Sequence, residues 1–171
     1  MNETIKTILE RRSQRKFTEQ KISKEDLLLI TECALHAPSA RCSDKWHFTI
    51  INDDELIDEL IKVMQELLDR ESYDLYRPKA IIIPSTPRDY KYGVDDNACA
   101  LENIFLAATS LGIGSVWINQ LRDFNDDVKL RAYLDKLEIP EDHVIYGIAV
   151  LGYPSDEPLK KERKGTYKYF G

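Results

Sequence analysis

The chain has 171 residues, which suits one domain or one domain with an extension. Hydrophobic residues make up 43% and charged residues 32%, and 24 basic against 30 acidic side chains leave a net charge of −6. That balance opposes broad attraction to nucleic acid or to an anionic membrane, and no apolar run approaches the roughly 20 residues that a bilayer span needs.

Asn2 can cap a first helix with Ile5, Ile8 and Leu9 on one face, and the polar start has no signal-peptide core. Together with three cysteines that lack paired spacing, this predicts a reducing, cytoplasmic setting. Ser23 can cap a second helix carrying Leu27, Leu28, Ile30 and Leu35, which Pro38 stops. Trp46 to Ile51 reads as a strand, and Asp53-Asp54 opens a helix with Ile57, Leu60, Ile61, Met64 and Leu68 on one face. Ala80 to Ile83 is a short apolar strand. A helix follows from about Asp95 to Leu111, and from Ile104 onward it is apolar around nearly its whole circumference. A subunit of this size can hardly surround such a helix, so the pattern points to a subunit interface. Gly112 and Gly114 frame a turn into the strand Ser115–Ile118. A charged helix from about Asn125 to Leu137 and a strand-like run from Val144 to Leu151 complete the pattern. Strands separated by helices predict a sheet covered by helices, with parallel or mixed pairing. The last stretch, Tyr153 to Gly171, has no helical period but carries Tyr167, Tyr169 and Phe170, so it is expected to dock on its own domain or on a partner subunit.

Positive charge is concentrated at two places. Arg11, Arg12, Arg15 and Lys16 lie near one end, Lys160, Lys161, Arg163 and Lys164 near the other, and Ser13 sits inside the first group. Guanidinium forks, an ammonium and a hydroxyl suit a phosphate dianion, and a bound anion relieves their mutual repulsion. A solvated helix end plus a charged tail accounts for the same residues. The segment Ala37 to Phe48 joins a helix to a strand with small residues and polar donors, so its backbone can approach a flat ligand. A plain connection with Trp46 and Phe48 in the core fits equally well.

Arg11-Arg12-Ser13-Gln14-Arg15-Lys16-Phe17 resembles the opening motif of the flavin-dependent nitroreductase family. Ala37-Pro38-Ser39-Ala40 through Trp46-His47-Phe48 resembles its second motif. Asn103 to Leu111, then Gly112 to Ile118, is similar to its buried helix and following strand, and Leu151-Gly152-Tyr153-Pro154 with Lys161 to Lys164 is similar to its closing segment. The four occur in register over essentially the whole chain.

The resemblance implies an α+β fold: a three-layer α/β/α sandwich with a mixed central sheet, forming a homodimer with FMN at the interface. Residues 1–153 would form the FMN-binding domain and 154–171 a basic extension completing the phosphate site and the dimer. Carried over, Arg11, Arg12, Ser13 and Arg15 would grip the phosphate and ribityl chain, with Lys161 and Arg163 approaching the same phosphate. Pro38, Ser39 and Ala40, presented by the other subunit, would lie along the isoalloxazine ring. Ile118, Asn119 and Gln120 would place backbone groups near its reactive edge. Cys42 stands where the family usually has an asparagine that bonds the pyrimidine end of the flavin, Asp44-Lys45 stands for Gln-Pro, and Asn119-Gln120 stands for an acidic residue and glycine. The implied activity is hydride transfer from NADH or NADPH through the flavin to a small electron-poor acceptor such as a nitroaromatic or a quinone. No side-chain acid, base or nucleophile is required, because the flavin carries the chemistry. The alternative is an FMN-binding storage or sensor protein without turnover.

Other readings are weaker. Cys33, His36, Cys42 and His47 have a spacing unusual for a zinc module, so no metal site is expected. Gly112-Ile113-Gly114 follows a helix and precedes a strand, the reverse of a dinucleotide-binding fingerprint. His143 reads as a surface residue, Cys99 as a packing residue, and Cys42, beside Arg41 and Lys45, as the more reactive thiol.

Overall fold

A computed structural model describes residues 1–158 and 162–171. Among the described residues, five α-helices and five strands follow one another along the chain. They are α1 (Glu3–Glu10), α2 (Lys24–Leu35), β1 (His47–Ile51), α3 (Asp54–Leu67), β2 (Ala80–Pro87), α4 (Gly93–Ser110), β3 (Gly114–Ile118), α5 (Val128–Lys136), β4 (His143–Val144) and β5 (Ile148–Gly152). Side-chain oxygens start four of the helices: Asn2, Ser23, Asp53 and Asp127 each accept from a backbone N–H in the first turn. Such a cap is worth about 1 kcal/mol.

The sheet runs β1-β2-β5-β3, with β4 pairing β2. Every pair between these strands is antiparallel, and among the described residues the parallel component is one bridge between Ser13 and Ser115. Side chains alternate across the strands. Ile81, Ile83, Ile148, Val150, Val116 and Ile118 face a core closed by α3 and α5. Ala80, Ile82, Ala149 and Leu151 face a second core closed by α2 and α4. The result is the three-layer sandwich expected. Ile81, Ile82 and Ile83 are wholly buried and contribute about 2 kcal/mol each by leaving water.

Three elements differ from expectation. β2 continues through Pro84 to Pro87. Its pairing with β5 covers Ala80 to Ile82 only, so the missing donor of Pro84 breaks no bond to that strand. The run from Val144 to Leu151 divides into β4 and β5, because Ile145 bonds through both its N–H and its carbonyl to the Asn125 side chain at 2.8 Å. Gly147 at the break lies against Trp117: a Cβ there would come within 2.2 Å of the indole nitrogen. The charged helix is shorter than expected, because residues Gln120–Phe124 form a 3-10 turn and Asp127 caps α5.

The described tail residues past Pro154 form no helix or strand. Tyr167, Tyr169 and Phe170 are 94%, 87% and 88% exposed, so this aromatic end of the tail does not dock on its own domain, whereas Ser155 and Asp156 at its start do. Nor is His143 a free surface residue. It is half-buried in β4, 3.0 Å from the Ser85 hydroxyl and edge-on to His47. Cys99 is half-buried and Cys42 exposed.

Candidate functional site

The two ends of the chain meet on the far side of β3. Residues 13–17 leave α1 in extended form. The Gln14 N–H donates to the Ser115 carbonyl at 2.9 Å, the Thr18 N–H to the Tyr153 carbonyl at 2.8 Å, and the Ser155 N–H to the Lys16 carbonyl at 3.1 Å. The arginine-rich segment and the start of the tail are therefore laid side by side.

Two glycines make room for this. Gly114 and Gly152 stand opposite each other in the β3–β5 pair. A Cβ on Gly114 would come within 2.7 Å of the Gln14 side chain, and one on Gly152 within 2.6 Å of the Phe17 ring. Gln14 is 3% exposed. Its Nε2 donates to the Lys16 carbonyl at 2.7 Å, the Asp156 carboxylate at 2.9 Å and the Asp156 carbonyl at 3.2 Å. Asp156 also accepts an ion pair from Lys16 at 3.0 Å. The hydrogen bonds from Lys16 and then Gln14 hold its carboxyl below the ordinary value of 3.8.

The clasp frames a cavity of about 960 Å³ lined by Arg11, Arg12, Ser13, Arg15, Lys16 and Arg163, and by the acidic residues Asp156, Glu157 and Glu162. Lys16 is taken by Asp156, and Arg11 lies 3.8 Å from Glu102. Among the described residues, Arg12, Arg15 and Arg163 have no carboxylate partner. Arg12 spends Nη1 on the Leu9 and Arg11 carbonyls at 2.7 Å, which fixes the guanidinium, while its Nε is buried with no hydrogen-bond partner among the described residues. A buried donor without an acceptor is costly. A fixed guanidinium, a hydroxyl and two further guanidiniums are a donor set that a phosphate dianion fits. The Arg15 guanidinium lies over the Tyr76 ring, 5.8 Å from its centre.

Of the residues expected to bind cofactor, this cavity brings together Arg11, Arg12, Ser13, Arg15 and Arg163. Lys161 lies outside the described residues. Pro38, Ser39, Ala40 and Cys42 do not line the cavity, nor do Ile118, Asn119 and Gln120. The former lie in the loop before β1, where Pro38 and Cys42 are exposed. The latter end β3: the Ile118 side chain is packed in the core, leaving only its backbone for any contact. Among the described residues no three His, Cys, Asp or Glu side chains gather as metal ligands would.

Gln14 and Asp156 are functional residues that the charge pattern of the sequence does not mark. The signal was an amide among arginines, at the inward position of an extended segment.

Comparison with known proteins agrees with this architecture. The family model described as the nitroreductase family matches residues 8–153. A protein of Archaeoglobus fulgidus, provisionally named an NADH dehydrogenase/NAD(P)H nitroreductase, is 36% identical over 92% of this chain and 88% of its own. The NADPH-flavin oxidoreductase of Vibrio harveyi is 30% identical over 95% of this chain and 70% of its own. Among solved structures, a nitroreductase with bound FMN from Bacteroides fragilis superposes with a TM-score of 0.89 at 36% identity, each chain covered completely. Its relatives bear the names NAD(P)H nitroreductase and NADPH-flavin oxidoreductase, and the chain belongs to the nitroreductase family.

Proposed function

We propose that the protein is an FMN-dependent oxidoreductase that takes electrons from NADH or NADPH and delivers them to small electron-poor acceptors such as nitroaromatics or quinones. The observation that carries this reading is the cavity in which guanidiniums from opposite ends of the chain converge. Bound FMN supplies the redox chemistry. Arg11, Arg12, Arg15 and Arg163 neutralise its phosphate, Ser13 donates a hydroxyl, and Lys161, outside the described residues, is expected to approach the same phosphate. Gln14 and Asp156 keep the two segments in place.

The ring-facing residues, Pro38, Ser39, Ala40 and Cys42, come from a second copy in this reading. Ile118, Asn119 and Gln120 lie at the ring's reactive edge. A homodimer is supported by unpartnered apolar surface. Ile5, Ile8 and Leu9 on α1 are about half exposed, and Ile8 with Leu106 and Ala107 lines an open groove between α1 and α4. The aromatic tail of the 154–171 extension, exposed on its own chain, wraps the partner. Three free cysteines fit a reducing cytoplasm.

The test is to mix purified protein with FMN, NADH or NADPH and a nitroaromatic, and to follow nicotinamide absorbance. Acceptor-dependent oxidation is expected. Flavin bound with no oxidation of either nicotinamide would make the protein an FMN store or sensor instead.

A further inference from the structure

The loop before β1 is held in an unfavourable shape. Arg41, Cys42 and Asp44 have φ of 59°, 51° and 45°, and none of them is glycine. The left-handed conformation costs each such residue about 1–2 kcal/mol. Something must oppose that cost, and strain of this kind gathers where a fixed shape is needed.

The opposing contacts come from the turn after β2 and the first turn of α4. Asp96 is 3% exposed. Its Oδ1 accepts from the Ala40 N–H at 3.0 Å and its Oδ2 from the Tyr90 hydroxyl at 2.6 Å. The Tyr90 hydroxyl in turn meets the Ser43 hydroxyl. One buried carboxylate thus pins the loop at Ala40 directly and at Ser43 through Tyr90. Ser39 closes the loop on itself by donating to Asp44 at 2.6 Å. The antiparallel pairing of β1 with β2, His47 opposite Ser85, brings these elements together. With the Ala40 donor turned inward, the loop offers Pro38, Arg41 and Cys42 outward, all exposed.

We propose that Asp96 and Tyr90 are positioning residues that fix the Ser39–Asp44 loop in the shape that contacts the flavin ring; this rests on the flavin reading above. Neither residue lines the arginine cavity. They act through Ala40 and Ser43, and the cofactor-facing residues depend on them for their placement.

The test compares Tyr90→Phe and Asp96→Asn with the unchanged protein in three measurements: FMN affinity by titration, amide hydrogen exchange at Ala40, and thermal unfolding. Tyr133→Phe is the control, since it removes a hydrogen bond of similar kind, Tyr133 to the Leu56 carbonyl at 2.9 Å, on the opposite face of the sheet. Each loop variant is expected to raise the FMN dissociation constant about five- to tenfold, the ratio that loss of one buried hydrogen bond gives, and to speed exchange at Ala40. The control is expected to lower the melting temperature with FMN affinity intact. Unchanged FMN affinity in both loop variants overturns the proposal, whatever happens to exchange. An equal loss of affinity in Tyr133→Phe also overturns it, by reducing the effect to general destabilisation. An unchanged protein that binds no FMN is a separate result: it removes the flavin reading and the proposal with it.

Discussion

Gln14 and Asp156 join the two ends of the chain: the buried Gln14 amide donates to the Asp156 carboxylate at 2.9 Å and to its carbonyl at 3.2 Å. The cavity between the ends exists because of this link. Gln14→Leu removes the amide donor to the Asp156 carboxylate, the Asp156 carbonyl and the Lys16 carbonyl, leaving the Lys16–Asp156 ion pair and the Ser155 N–H bond to hold the two segments. It is expected to cost about 1–3 kcal/mol, or roughly 3–9 °C in melting temperature, and to weaken FMN binding severalfold. Calorimetry and flavin titration read the two effects, and a variant as stable as the parent would show the link to be dispensable.

The glycine pair sets how closely the arginine-rich segment can lie on the sheet. Gly152→Val would drive a side chain into the Phe17 ring, where even a Cβ comes within 2.6 Å. The expected cost is about 1–3 kcal/mol from overpacking, with loss of FMN affinity as residues 13–17 shift. Gly112→Ala tests a different cause. At Gly112 φ is +72° and nothing lies within 4 Å, so its cost, about 1 kcal/mol, comes from the backbone alone and leaves FMN binding intact.

Cys42 occupies a left-handed position, φ 51°, that asparagine adopts more readily than cysteine. Cys42→Asn is expected to stabilise the protein by a few tenths of a kcal/mol and to tighten FMN binding, since the amide adds hydrogen-bonding groups that the thiol supplies weakly. A fall in both stability and affinity would contradict the placement of this loop against the flavin.

His143 links stability to pH. Burial, partly offset by Asp142, lowers its pKa below the ordinary 6.5. The folded state therefore takes up its proton less readily than the unfolded chain. Its contribution is complete above about pH 6.5 and is lost as pH falls through that value toward the depressed one. Denaturant melts between pH 7.5 and 5 are expected to show stability falling with pH. His143→Gln should flatten the part of that slope due to this residue, and an unaltered slope would assign it to other groups.

The sequence made the layers legible where burial is periodic. The caps at Asn2, Ser23 and Asp53 and the apolar faces that follow them are local signals, and the helices start there. Strand pairing is not local. Nothing between Trp46 and Ile51 reveals that its partner runs antiparallel, and nothing in Val144 to Leu151 shows that Asn125 captures Ile145. At the site, the cations of the first segment were visible as a charge cluster. The amide and carboxylate that align it were not, because their partners are 142 residues apart. The same holds for Asp96 and Ala40, which are 56 residues apart.

The most direct measurement is a fluorescence titration of FMN into the purified chain and into Arg15→Glu, at matched thermal stability. The account predicts tight, stoichiometric binding by the unchanged protein and a loss of at least about tenfold in the variant, since reversing one charge beside a phosphate removes an attraction and adds a repulsion. Equal affinity in the two, or no binding by either, would contradict the assignment of the arginine cavity to the flavin phosphate.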